Sequence, residues 1–129
     1  GITNGVYNIE LTAAFASIAN GGVYTEPMLY THIYDHDGNL LYENIPDTHP
    51  AMKDTTAALI TNAMQDVISA GDGTGGAARM SNMPVAGKTG TTTDSQDLWF
   101  GGGTPYYVAA VWVGFDTPEA AWAELQGET

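Results

Sequence analysis

One cation stands among hydroxyl-bearing residues and glycines in segment 86–93, which reads Ala-Gly-Lys-Thr-Gly-Thr-Thr-Thr. Lys88 is one of only three basic residues in the 129-residue chain, and its ammonium is a compact point charge suited to binding a carboxylate. Thr89 places a hydroxyl beside that charge, and Gly90 removes a side chain where the backbone of a ligand must approach closely. The pattern therefore predicts an extended strand that binds an anionic group of a ligand.

Two nucleotide-binding interpretations of this region are weaker. The phosphate-binding loop G-x-x-x-x-G-K-[ST] requires glycine at position 82, where the chain has Asn82, and a helix where residues 91–93 favour a strand. Segment 71–76, Gly-Asp-Gly-Thr-Gly-Gly, fits G-x-G-x-x-G but follows a predicted helix, and its Asp72 would repel a pyrophosphate. A nucleotide-binding protein is thus a minor alternative. A surface lysine beside a turn is the other alternative for Lys88.

No metal, cofactor or nucleic acid is predicted as a ligand. Segment 35–39, Asp-His-Asp-Gly-Asn, lacks the glycine and glutamate spacing of a calcium loop and is better explained as a hairpin turn. His32, His36 and His49 have no metal-ligand spacing. A net charge of −12 would repel a polyphosphate backbone, and the absence of cysteine excludes disulfides and thiol nucleophiles.

Two helices are predicted to pack beside the Lys88 strand. The spacing of Leu11, Phe15 and Ile18 predicts a helix over 8–20, with Asn8 as its N-cap. A second helix is predicted from Asp54 to near Gly71. Its predicted buried stripe consists of Ala57, Ile60, Ala63 or Met64, and Val67.

The remaining segments predict an α+β fold. A hairpin between Val23 and Tyr42 turns at 35–39, and a polar link follows over 44–50. Three β-rich segments, 85–93, 97–102 and 106–115, have short links and predict an antiparallel three-strand meander led by Lys88. Because 106–113 is apolar on both faces, it is expected to be an inner strand covered by helices. A closing helix is expected over 119–126.

The order of these motifs resembles the C-terminal half of the transpeptidase domain of class A (bifunctional) penicillin-binding proteins. Lys-Thr-Gly alone would also suit serine β-lactamases, but its pairing with Asp-x-Trp-Phe resembles the class A enzymes more specifically. The resemblance covers most of the chain and implies that residues 1–129 form part of a penicillin-binding transpeptidase domain with a serine β-lactamase-like fold. It is carried by segments 19–22 (Ala-Asn-Gly-Gly), 26–27 (Glu-Pro), 73–75 (Gly-Thr-Gly), 87–92 (Gly-Lys-Thr-Gly-Thr-Thr), 97–101 (Asp-Leu-Trp-Phe-Gly), 104–105 (Thr-Pro) and 111–114 (Val-Trp-Val-Gly).

The resemblance implies a D,D-transpeptidase that cross-links peptidoglycan stem peptides through a serine acyl-enzyme and binds β-lactams. By position, Lys88 and Thr89 would bind the terminal carboxylate of the substrate. The backbone N–H of Thr91 would supply one of two oxyanion-hole donors, and Gly90 would leave the strand open to an extended peptide. Lys88 and Thr91 are thus the expected catalytic residues, while Lys88, Thr89, Gly90 and Thr91 are expected to bind the substrate.

Two motifs of this family are not found in the 129 residues. None of the four serines is followed by lysine three residues later or by asparagine two residues later, as S-x-x-K and S-x-N require. We therefore expect the isolated chain to be inactive and the nucleophile to come from a missing N-terminal half of the domain. The alternative is a non-catalytic binding or interaction module on the same scaffold. The presence of S-x-x-K and S-x-N in the upstream sequence would favour the enzyme over this module.

The resemblance also implies a location and partners. It implies that the intact protein works on the extracytoplasmic face of the bacterial membrane and is anchored upstream. No apolar run in this chain approaches the ~20 residues of a membrane span. In that family two further strands complete the sheet beside segment 106–113. An exposed apolar strand edge invites pairing, so self-association of this chain is expected.

Overall fold

The computed structural model describes residues 5–115 and 117. In chain order, the elements of this part are α1 (Asn8–Ala19), β1 (Val23–Thr25), β2 (His32–Tyr34), β3 (Leu40–Glu43), β4 (Thr48–Pro50), α2 (Asp54–Ser69), β5 (Ala86–Thr91), β6 (Asp97–Gly103) and β7 (Val108–Gly114). Two short 3₁₀ turns, Gly76–Ala78 and Thr93–Ser95, lie before and after β5. The described chain therefore has the α+β composition that the sequence predicted.

The three C-terminal strands form one antiparallel sheet in the order β5-β6-β7. Lys88 lies opposite Gly101, and Thr91 lies opposite Leu98. Trp99 lies opposite Trp112 on the next strand, where their rings are 6.4 Å apart. The short links at 92–96 and 104–107 leave no room for a crossover, so each strand pairs with its neighbour in sequence. The predicted meander is confirmed.

Both helices pack against this sheet, α1 on β6 and β7 and α2 on β5. The sheet is glycine-rich where α1 crosses it, because a Cβ atom at Gly101 would overlap the ring of Phe15. Ala13 and Ala57 are buried between the elements, as is Ile68 near the end of α2. The predicted stripe of α2 missed Ile68 and wrongly included Ala63 as an alternative, since Ala63 is exposed.

The start of α1 differs from the prediction that Asn8 caps it. Tyr7 is the N-cap residue and Asn8 is the first residue of the helix. The carboxylate of Glu10 accepts the Tyr7 backbone N–H at 3.2 Å, which satisfies a donor that the helix leaves free. Glu10, the third residue of the helix, thus binds the backbone N–H of the N-cap residue, and Asn8 lies inside the helix instead of capping it.

The predicted hairpin is present as the antiparallel pair β2–β3. Its turn is organised by Asp35, whose carboxylate accepts the backbone N–H groups of Asp37 at 2.9 Å and Asn39 at 2.8 Å. The supposed polar link after it contains β4, which pairs with β1 and was not predicted. Three residues that end in a proline give too short a pattern to identify a strand.

Among the residues that the structure describes, β7 is covered on one face, by α1, and cover of its second face stays a prediction. Val108, Ala110 and Trp112 are half-buried, whereas Val111 and Val113 are exposed. The difference arises because α1 packs on one face only. The closing helix predicted over 119–126 lies outside the described residues.

Candidate functional site

One edge of β5 is unpaired in the part of the chain that the structure describes, because β5 ends the strand order β5-β6-β7. Backbone groups of an antiparallel strand point alternately toward its partner and away from it. Thr92, the residue after the Thr91–Leu98 pair, donates its N–H to the Asp97 carbonyl at 3.1 Å. The peptide groups of Thr91 and Thr89 therefore point away from β6, and the free edge presents their N–H and C=O groups.

The ammonium of Lys88 lies along the same edge. Its side chain is exposed, and Nζ donates to the carbonyl oxygen of Thr89 at 2.7 Å. The other two basic residues lie at the ends of α2, where Lys53 precedes the first turn and Arg79 donates to the last carbonyls. Lys88 is thus the basic residue of the chain that stands at the free edge of β5, on the extended segment that the sequence predicted.

The side chain of Thr89 has a partner outside β5. Its Oγ1 lies 2.7 Å from Oγ1 of Thr74, in the glycine-rich loop that follows α2. A hydroxyl has one proton and two lone pairs, so this contact leaves Thr89 able to make a further hydrogen bond. The loop that resembled a dinucleotide motif therefore meets the Lys88 strand through a pair of threonines.

Gly90 and Thr91 complete the segment. A Cβ atom at Gly90 would lie 3.2 Å from Cβ of Trp99 and would meet no other heavy atom within 4 Å. Thr91 is exposed at the last position of β5. The structure thus brings all four predicted residues, Lys88, Thr89, Gly90 and Thr91, to one open strand edge, where an extended peptide can add its own backbone hydrogen bonds.

Sequence reasoning missed the residue that fixes the end of this edge. Oδ2 of Asp97 accepts the Thr92 hydroxyl at 2.9 Å, and Oδ1 accepts the Trp112 indole N–H at 2.9 Å. Thr92 Oγ1 accepts the Asp97 backbone N–H in return, also at 2.9 Å. In the sequence, Asp97 was noted only as part of the Asp-x-Trp-Phe motif, and that motif does not indicate which groups the carboxylate binds.

An apolar cavity of about 240 Å³ lies at the opposite end of β5 and is lined by residues that include Phe15, Met64 and Val108. Lys88, Thr89 and Thr91 do not line it. Among residues 5–115 and 117, we find no cluster of three acidic or histidine side chains that could hold a metal ion. Within the same ranges, no helix combines the length and the apolar character needed to cross a membrane.

A family model and a curated relative both match this chain to penicillin-binding proteins. The family described as "Penicillin binding protein transpeptidase domain" matches residues 1–123. Penicillin-binding protein 1A of Clostridium acetobutylicum is 45% identical over 118 residues, which are 92% of this chain but 14% of that protein. The chain therefore spans about one-seventh of the length of this relative.

Two solved structures share the fold. The D,D-transpeptidase domain of the peptidoglycan glycosyltransferase from Eggerthella lenta superposes with a TM-score of 0.71 at 27% identity, over 92% of this chain and 32% of that one. Penicillin-binding protein 1A from Haemophilus influenzae gives a TM-score of 0.77 at 23% identity, over 88% of this chain and 22% of that one. The packed helices and antiparallel sheet described above are therefore an arrangement found in experimental structures.

Proposed function

This chain belongs to the penicillin-binding protein transpeptidase family, in its class A branch, and from that premise we propose that it supplies the substrate-binding strand of a D,D-transpeptidase. The observation that carries the proposal is the position of the Lys88 ammonium, 2.7 Å from the Thr89 carbonyl on the free edge of β5. Residues 1–129 are then the C-terminal part of a longer transpeptidase domain.

In the proposed reaction, the substrate is a peptidoglycan stem peptide that ends in D-Ala-D-Ala. A serine hydroxyl attacks the carbonyl between the two D-alanines, and a base accepts its proton. The base passes that proton to the departing nitrogen as the C–N bond breaks, so the terminal D-alanine leaves as the amine. The acyl-enzyme ester is then attacked by an amine from a neighbouring stem, which releases the serine. We place this serine and its base in the part of the domain outside these 129 residues, because the chain contains neither S-x-x-K nor S-x-N.

Each residue at the edge of β5 has a role in this proposal. Lys88 and Thr89 bind the terminal carboxylate of the substrate by charge and by hydroxyl donation. The backbone N–H of Thr91 points outward and is one of two donors to the oxyanion that forms at the attacked carbonyl. Gly90 has no side chain to obstruct an extended peptide that lies along the edge.

Lys88 must attract the substrate carboxylate at short range although the chain as a whole repels it. The chain carries a net charge of −12, which repels a carboxylate at long range. Attraction must therefore come from a cation at short range, where an effective dielectric lower than that of water strengthens it. Since Arg79 is engaged with carbonyls at the end of α2, Lys88 is the residue placed to provide this attraction.

The same proposal names further ligands and a location. β-Lactams resemble the D-Ala-D-Ala unit and would acylate the same serine. The enzyme would work on the extracytoplasmic face of a bacterial membrane, where its substrate lies. Pairing of β7 with strands of the rest of the domain, and self-association when those strands are absent, stay predictions.

Acylation by a fluorescent penicillin in the intact domain tests the proposal. We expect Lys88→Ala to slow acylation by about 100-fold or more, comparable with the loss of an electrostatic donor. Lys53→Ala removes the same charge at the start of α2 and is the matched control, which should acylate at the wild-type rate. An acylation rate for Lys88→Ala within threefold of wild type would refute the role of Lys88. A wild-type domain that is never labelled would favour the non-catalytic module.

A further inference from the structure

A threonine outside β5 contacts Thr89, one of the residues proposed to bind the substrate carboxylate. Oγ1 of Thr74 lies 2.7 Å from Oγ1 of Thr89, across 15 residues of sequence. Thr74 belongs to neither a helix nor a strand, so the position of its hydroxyl depends on the loop that carries it. Thr74 can hold a fixed position only if that loop is itself held in place.

Two glycines hold the loop against the end of α2. Gly75 donates its N–H to the Val67 carbonyl at 3.0 Å, and Gly73 donates to the Ala70 carbonyl at 3.1 Å. A Cβ atom at Gly73 would overlap the Val67 carbonyl, and one at Gly75 would lie 2.6 Å from Cδ1 of Ile68. Thr74 is thus placed by close packing of the loop on the end of α2, which requires glycine at position 73 because a Cβ atom there would meet backbone.

The direction of the Thr74–Thr89 hydrogen bond follows from counting protons. An ionised carboxylate is an acceptor only, so Thr89 must donate its single hydroxyl proton to bind one. Thr89 cannot then donate to Thr74 as well. With a carboxylate bound, Thr74 must be the donor and Thr89 Oγ1 the acceptor.

We propose that Thr74 is a positioning residue, which donates to Oγ1 of Thr89 and so aims the Thr89 proton at the substrate carboxylate. This inference rests on the proposed function and adds a residue to it from a second element of the fold. A donor on Thr89 also polarises its hydroxyl, because hydrogen bonds in a chain strengthen one another. Thr74 acts only through Thr89 and touches no reacting atom.

The test uses acylation of the intact domain by two ligands, a β-lactam with its free carboxylate and the methyl ester of the same compound. Thr74→Val keeps the shape of the side chain but has no donor, and we expect it to slow acylation by the free acid about tenfold. Thr74→Ser keeps the donor and should acylate within threefold of wild type. Thr25→Val, an exposed threonine in β1, is the matched control for loss of a hydroxyl.

With the methyl ester, Thr74→Val and wild type should react at rates within threefold of each other. In a double-mutant cycle, Thr74→Val should not slow acylation further when Thr89→Val is already present. Equal slowing of both ligands by Thr74→Val, or failure of serine to restore the rate, would overturn the positioning role. If Thr74→Val does not fold, Thr74→Ala is measured in the same way and judged by the same two criteria.

The acylation rates of three variants distinguish an error in the role of Thr74 from an error in the proposed function. If Lys88→Ala and Thr89→Val both acylate like wild type, the substrate-binding role of β5 is wrong. If those two variants are slow and Thr74→Val is as fast as wild type with the free acid, only the role of Thr74 is wrong.

Discussion

The indole N–H of Trp112 donates to Oδ1 of Asp97 at 2.9 Å, which joins β7 to the first residue of β6. The second carboxylate oxygen of Asp97 accepts the hydroxyl of Thr92, the residue that follows β5, at 2.9 Å. One half-buried carboxylate thus ties together all three strands of the sheet, at the end where Thr91 lies. The outward direction of the Thr91 peptide group depends on this end of the β5–β6 pairing staying closed.

Removing that carboxylate should loosen the sheet. Asp97→Ala leaves the Trp112 indole N–H and the Thr92 hydroxyl without their acceptor, and half-buried polar groups without partners cost about 1–3 kcal/mol. We expect the free energy of unfolding to fall by about 2 kcal/mol, measured by denaturant unfolding of the intact domain. Acylation by penicillin should slow as well, because the turn that places Thr91 is less ordered.

Asp72→Ala is the control for this experiment. Asp72 is exposed in the loop after α2, and Asp72→Ala removes the same charge, so this substitution should change stability by about 0.5 kcal/mol or less. Equal stability of Asp97→Ala and Asp72→Ala would show that the carboxylate does not hold the strands together.

A methyl group at Gly101 should be costly for a different reason. Gly101 is buried under α1, and a Cβ atom there would overlap the ring of Phe15. Overpacking of this kind typically costs about 1–3 kcal/mol, so Gly101→Ala should lower the thermal midpoint of the domain. Gly76→Ala is the matched control, because a Cβ atom at Gly76 meets nothing within 4 Å. If the two variants have the same thermal midpoint, α1 does not pack on the sheet as described.

Arg79 should stabilise the end of α2. Its guanidinium Nη2 donates to the carbonyls of Ser69 at 2.6 Å and Ile68 at 3.2 Å, which have no partner within the helix. We expect Arg79→Ala to cost about 1 kcal/mol and to speed hydrogen exchange of amides in the last turn of α2. Arg79→Lys keeps the charge with fewer donors, so its stability should lie between that of wild type and that of Arg79→Ala. Unchanged exchange in the last turn with Arg79→Ala would contradict the role.

Local sequence patterns were sufficient for much of this fold. Apolar spacing located α1 and α2 to within a few residues, and the 35–39 turn located the β2–β3 hairpin. The β5-β6-β7 meander followed from short links between β-forming segments. These features succeed because each depends on neighbours a few residues apart. The position of Lys88 on an extended strand was predicted for the same reason.

The features that were missed depend on pairs of residues distant in sequence. β4 is three residues long, and only its pairing with β1 makes it a strand. Asp97 meets Trp112 because the register of β6 and β7 brings β7 alongside its carboxylate. The Thr74–Thr89 contact likewise requires that the loop after α2 fold back onto β5. No local pattern specifies such contacts.

The hairpin turn gives a prediction about pH. Hydrogen bonds from the Asn39 side chain, and then from backbone N–H groups, hold the pKa of Asp35 below its ordinary value, although the group is exposed. Because the pKa is lower in the folded state, the ionised carboxylate stabilises the turn at pH values above its unfolded pKa. This contribution is lost as the pH falls through the folded pKa. The carboxyl carbon of Asp35, followed by NMR, should therefore titrate with a midpoint below that of an unstructured peptide.

Asn39→Ala removes the leading cause of this shift and leaves the backbone donors of residues 37 and 39 in place. We expect the Asp35 midpoint to move upward, only part of the way to its ordinary value, since those donors still favour the charged form. Asn44→Ala is the matched control, because the Asn44 amide donates to the Tyr30 carbonyl at 3.2 Å and not to Asp35. A midpoint that moves equally in both variants would mean that the Asn39 side chain does not bind Asp35 in solution.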